Sequence, residues 1–195
     1  MAAIRRLPEG WHEASRTVLT DEKLLLRLSA LALIPLVVSG AAMLIVALLV
    51  LSSHPQHATG PDVPWWASLL LALLVLPLHE LVHAAAILLV GHRPRLGIKL
   101  DKGVLYATAD QALFTRNQYL AVALSPLVVL SLAGACTLLV LPTGWWWTAG
   151  LAVMLNASGA IGDLWASAQV RVLPRSALVR DTEDGFIIYL RQPTS

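Results

Sequence analysis

Charge is what this chain has least of. Asp, Glu, Lys and Arg make up 13% of its 195 residues, while 57% are hydrophobic. Soluble domains are roughly one quarter charged and one half apolar. With a mean hydropathy of +0.69, an ordinary water-soluble domain is excluded and an integral membrane protein is implied. Cysteine is nearly absent too. Cys136 stands alone in an apolar run, so an intramolecular disulfide is impossible and the thiol reads as a small buried hydrophobe. The formal net charge is only +2, and the basic residues are scattered, so no nucleic-acid partner is expected. No cleavable signal peptide is evident either: the first apolar run, from near Leu24 to about Leu51, is too long for one. Internal repeats and low-complexity tracts are lacking.

What is present is four apolar segments, at about 24–52, 64–91, 118–141 and 145–170. Each meets the ~20 residues needed to cross the hydrocarbon core. Pro142-Thr143-Gly144 alone separates the last two, which makes them an antiparallel hairpin. Between the second and third, Leu96–Leu100 and Val104–Thr108 flank Asp101-Lys102-Gly103 and read as a β-hairpin. The expected fold is therefore all-α: a four-transmembrane-helix bundle with a small cytoplasmic β-hairpin between helices 2 and 3. Residues 1–23 form an amphipathic cytoplasmic N-terminal segment, 24–170 the membrane domain, and 171–195 a cytoplasmic tail carrying one short strand at Gly185–Leu190.

Arg and Lys set the orientation. Arg5, Arg6, Arg16, Lys23 and Arg27 precede or open the first span. Arg93, Arg95, Lys99, Lys102 and Arg116 lie between the second and third, and Arg171, Arg175, Arg180 and Arg191 follow the fourth. The other two loops have neither residue, so the positive-inside rule places both termini and the central loop in the cytoplasm. Trp65-Trp66 and Trp145-Trp146-Trp147 mark the opposite interface as an aromatic belt.

Within the second segment stands His79-Glu80-Leu81-Val82-His83. Histidines four apart share a helical face, and HExxH on a helix suits zinc with the glutamate as general base. Apart from Arg27 at a helix entrance, Glu80 and Asp163 are the only formally charged side chains in the four spans. Charge in a bilayer is costly and points to function. Counted from the outer tryptophans at 1.5 Å per residue, His79 lies about 20 Å deep, and His83 and Asp163 each about 27 Å. Three ligands from two helices with water in the fourth position is the open geometry of a catalytic zinc site. Glu80 is turned from the metal by about 100° of helix. Asn156, Gly159 and Asp163 share a face. Asn156 can donate to a substrate carbonyl or its oxyanion, or simply join two helices. His54 and His57 read as solvated loop residues, His92 as a helix-end cap, and Ser125-Pro126 as a kink.

From about Leu78 to Tyr189 the chain resembles the bacterial zincin peptidases of the DUF3267 type, distantly similar to site-2 protease intramembrane metalloproteases. The resemblance rests on His79–Ala84, Tyr106-Ala107, Ala123–Pro126, Asn156–Asp163, Asp181–Gly185 and Tyr189. It implies zinc on His79, His83 and Asp163, Glu80 as catalytic base, and segment 96–108 pairing with an unwound substrate strand. It also implies a multi-pass protein of the bacterial cytoplasmic membrane. Site-2 proteases usually present the third ligand in Asn-Pro and Asp-Gly contexts, and this chain reads Gly162-Asp163-Leu164 instead.

The leading expectation is a zinc-dependent intramembrane endopeptidase acting on a membrane-embedded or membrane-proximal protein segment. The competing readings are a non-catalytic metal-binding membrane module that engages a partner protein, and a metal-dependent hydrolase of a lipid or small amide. Oligomeric state is not legible.

Overall fold

The computed structural model describes residues 7–18, 21–54, 59–99, 104–109, 112–182 and 185–192. The expected turn at Asp101-Lys102-Gly103, and His57, lie outside them. In chain order the elements are β1 (Trp11–Val18), α1 (Glu22–Leu31), α2 (Leu33–Ser53), α3 (Trp65–Leu73), α4 (Val75–Leu89), β2 (Arg95–Lys99), β3 (Val104–Thr108), β4 (Leu113–Thr115), α5 (Arg116–Val140), α6 (Trp146–Gly159), α7 (Ile161–Arg171), β5 (Leu178–Thr182) and β6 (Gly185–Arg191). A 3-10 turn at Thr143–Trp145 joins α5 to α6.

The expected all-α four-span bundle is overturned on two counts. Among the described residues there are six strands in two sheets, one of four strands ordered β1-β6-β5-β4 and one of two, β2-β3. Among the same residues, three helical stretches, Glu22–Ser53, Trp65–Leu89 and Arg116–Val140, are long and apolar enough to cross a membrane. The fourth segment is helical but breaks at Ala160, and Asn156, Ser158, Gly159, Gly162 and Asp163 dilute its apolar character.

Proline explains two of the helix breaks. A proline has no N–H for the carbonyl four residues earlier, and its ring crowds that carbonyl. Pro35 thus removes the partner of the Leu31 carbonyl, and the helix is interrupted at Ala32. Pro77 does the same to Leu73, and the interruption falls at Leu74. Pro126 lies inside α5, which continues through it.

The chain divides into two compact units, residues 1–28, 80–125 and 162–195 in one and 29–79 and 126–161 in the other. In the first unit, β6 is a continuous apolar run because both its faces are buried. Phe186 and Ile188 pack with Ile87, Tyr119, Val122 and Val170 from the helices, while Ile187 and Tyr189 pack with Leu113 and Leu178 on the other face. This is period-two alternation with a core on each side. The N-terminal segment is a strand: β1 pairs antiparallel with β6, Trp11 opposite Arg191 and Val18 opposite Gly185. In the separate hairpin, β2 pairs with β3 and Gly97 stands opposite Tyr106. A Cβ at Gly97 would lie 2.4 Å from the Tyr106 ring, so the glycine makes room for it.

In the second unit α6 packs on α2 and α3. Met43, Leu138 and Val153 form its core, and a buried Thr148 hydroxyl donates to Ser68 at 2.8 Å. Much of α2 stays uncovered, including Val37, Ile45 and Leu48, an apolar surface suited to lipid. Val63 N–H donates to the Gly144 carbonyl at 3.4 Å, placing both tryptophan clusters at one end of this unit. Gly134 permits close approach of α5 to α6: a Cβ there would lie 2.2 Å from Val153 Cγ2. Gly134→Ala is expected to destabilise the protein by about 1–3 kcal/mol through overpacking, measured by denaturant unfolding in detergent. An unchanged midpoint would contradict that packing.

Candidate metal centre

The site begins with α4, whose continuous helix carries His79 and His83 one turn apart and on one face. Both are buried, each 8% exposed. Asp163 sits in the first turn of α7, where the break at Ala160 has created a new helix N-terminus. The macrodipole there favours a carboxylate.

In the first unit, His83 Nδ1 lies 3.0 Å from the Val122 carbonyl. A carbonyl only accepts, so Nδ1 carries a hydrogen, which leaves Nε2 as the ligand atom of the neutral ring. Val122 is four residues before Pro126, which has no N–H to give it. The proline thus releases the acceptor that His83 uses, and Ser125 Oγ donates to the same oxygen at 2.8 Å.

In the second unit a parallel chain of reasoning holds His79. The Pro126 carbonyl can only accept, so the Asn156 group 3.2 Å from it is the amide nitrogen. That orientation turns Asn156 Oδ1 to His79 Nδ1 at 2.9 Å, making Nδ1 the protonated nitrogen here as well. Asn156 is 1% exposed, with both ends of its amide engaged.

The two Nε2 atoms are therefore the coordinating nitrogens. His83 Nε2 lies 3.3 Å from Asp163 Oδ2. Bonds of about 2.0–2.2 Å at a tetrahedral angle put two zinc ligands roughly 3.3–3.5 Å apart, so this spacing fits one edge of such a site. His79 is held one turn from His83 by the helix backbone itself. Outer partners that fix the tautomer of ligating histidines are the usual support of zinc sites. Donor set, tautomers and spacing all suit the ion. Glu80, the intervening residue, is half-buried.

Asp181 was singled out in the sequence only as part of a weak terminal match. It lies on β5 and lines a cavity of about 70 Å³ with His83, Asp163 and Tyr119. Its carboxylate accepts from Thr108 Oγ1 at 2.8 Å and Ala109 N at 3.4 Å, linking the end of β3 to β5. Burial pushes this carboxyl up to about 6, against the opposing pull of those two donors. Tyr119, likewise missed, reaches the cavity from the first turn of α5. Only tertiary folding brings either residue to His83. His92 packs edge-on against Phe114 with ring centroids 4.7 Å apart, a role in the core as much as at a helix end.

Helices long and apolar enough to cross a membrane, an HExxH helix and a helix-terminal aspartate beside His83 are the features of a metallopeptidase-like class. The matching family model carries that description: DUF3267, "Putative zincin peptidase", aligns with residues 72–178. That is more than half of the chain, which belongs to this family. Comparison with curated proteins and with solved structures gives no match.

Two outcomes follow from this geometry. Pro126→Ala restores an N–H that competes for the Val122 carbonyl, so zinc affinity measured by chelator competition should fall about 10-fold. Undiminished affinity would show that this carbonyl does not set His83. For Asp181 the folded state favours the protonated form. Its contribution to stability is therefore full below the unfolded value near 3.8 and is lost as pH rises through about 6. Melting of zinc-free protein across that window should decline less for Asp181→Asn than for wild type; parallel curves would exclude the assignment.

Proposed function

We propose that the protein is a zinc-dependent intramembrane endopeptidase that hydrolyses peptide bonds of membrane-embedded or membrane-proximal protein segments. The observation that carries this reading is the 3.3 Å approach of His83 Nε2 to Asp163 Oδ2, with the imidazole turned by its Nδ1 contact so that Nε2 faces the carboxylate. His79, His83 and Asp163 are the residues that would hold zinc. Bound there, the ion supplies a water with a pKa near ~7 and polarises a carbonyl.

The remaining work falls to the protein. Glu80 follows His79 by one residue and is turned about 100° around the helix. It takes the proton of the attacking water and later gives it to the departing amine. Asn156 and the Val122 carbonyl hold the two imidazoles in the coordinating tautomer. The β2-β3 hairpin pairs with no other strand among the described residues, and Leu96 and Ile98 are exposed. Such an edge suits addition of an extended substrate segment, which also exposes a scissile amide that a helix would hide. The substrate is thus a membrane protein or peptide, and the lipid bilayer is the other partner.

The location that goes with this reading is the bacterial cytoplasmic membrane, with both ends of the chain in the cytoplasm. Pairing of β1 with β6 supports a shared side for the two ends, and the arginine-rich central loop supports the cytoplasmic one.

Glu80→Gln should retain zinc while losing about 10²–10⁴-fold in turnover, assayed with reconstituted protein on a transmembrane peptide. Asp163→Asn should lose the metal. If the Glu80 variant and wild type process membrane proteins identically, the alternative of a non-catalytic metal-binding module takes the endopeptidase's place.

A further inference from the structure

Tyr119 is buried, with 8% exposure. Its ring is flanked by Phe114, edge-on at 6.3 Å between centroids, and by Phe186 at 5.8 Å. These contacts hold the ring while the residue lines the cavity shared with His83, Asp163 and Asp181. Its hydroxyl lies in the electrostatic reach of both carboxylates, yet it has no hydrogen-bond partner among the described residues. Buried phenols normally have one. The packing of the ring gives no reason for the oxygen, since phenylalanine would fill the same space.

The chemistry of the site needs a donor. Attack on an amide places negative charge on the carbonyl oxygen, and a preorganised N–H or O–H aimed there is a large part of catalysis. Asn156 is engaged at both ends, by His79 and by Pro126. Asp163, as a carboxylate, accepts rather than donates, and so does Asp181 once the pH exceeds its value of about 6.

We propose that the Tyr119 hydroxyl is the hydrogen-bond donor that stabilises the carbonyl oxygen of the scissile peptide as charge develops on it. This rests on the endopeptidase reading and adds a catalytic residue to it. As the water oxygen bonds to the carbonyl carbon, the π pair moves onto the carbonyl oxygen and Tyr119 donates to it, keeping its own proton. When the carbon–nitrogen bond breaks, that pair returns to the carbonyl and the amine leaves with the proton carried by Glu80.

The test compares two probes on zinc-loaded, full-length protein. A peptidyl phosphonate presents an anionic oxygen where the carbonyl oxygen would be charged, and a simple alkyl thiol binds the metal without one. Tyr119→Phe should retain zinc and thiol affinity while phosphonate affinity falls about 10- to 100-fold. Turnover of a transmembrane peptide should lose about 10²-fold in kcat with KM little changed. Equal phosphonate affinity in the two proteins, or equal losses for both probes, overturns the proposal and reduces Tyr119 to packing. Should the Phe variant fail to fold, Tyr119→3-fluorotyrosine keeps the shape and strengthens the donor. It should then raise phosphonate affinity relative to thiol, and an unchanged ratio overturns the proposal. A wild-type protein that binds neither probe defeats the endopeptidase reading itself, a result distinct from a wild type that binds both and a variant that loses neither.

Discussion

The site depends on a hydrogen that is not there. Pro126 cannot donate to the Val122 carbonyl, and that carbonyl is the acceptor of His83 Nδ1. The carbonyl of Pro126 itself orients the Asn156 amide, which in turn accepts from His79 Nδ1. One residue inside α5 thus sets the tautomer of both histidines. A buried imidazole with its Nδ1 hydrogen pinned presents one lone pair in one direction, and a metal site needs that preorganisation.

The same physics, a proline starving a carbonyl, has different results along the chain. At Pro35 and Pro77 the helix breaks three residues before the proline. At Pro126 the helix runs on because the released carbonyl finds the His83 imidazole and the Ser125 hydroxyl. The break at Ala160 has no proline behind it. It starts a new helix whose first turn contains Asp163, so the third candidate ligand gains the dipole of an N-terminus that an unbroken helix would not offer.

The candidate site was legible in the sequence only as far as its rules are local. HExxH spacing fixes two side chains on one face, and depth counted from the tryptophans put Asp163 level with His83 before any contact was known. The sheet was not legible. Residues 11–18 carry no strong strand pattern, and their partner β6 lies at the other end of the chain. The run at Gly185–Leu190 reads as a strand, but not as one buried on both faces. Calling the protein all-α followed from counting apolar length and ignoring such long-range pairing. The same limit hid Asp181 and Tyr119, which approach His83 only once β5 and α5 are in place. In the sequence Pro126 reads as a kink; its larger effect, on a carbonyl four residues earlier, is visible only with the imidazole beside it.

The most direct check is NMR of isotope-labelled imidazole nitrogens of His79 and His83 while zinc is added to metal-free protein. The account predicts that Nδ1 of both rings is protonated throughout, and that both Nε2 resonances move to metal-bound positions at one equivalent of zinc. Protonated Nε2 on either ring in the zinc-loaded state would contradict it.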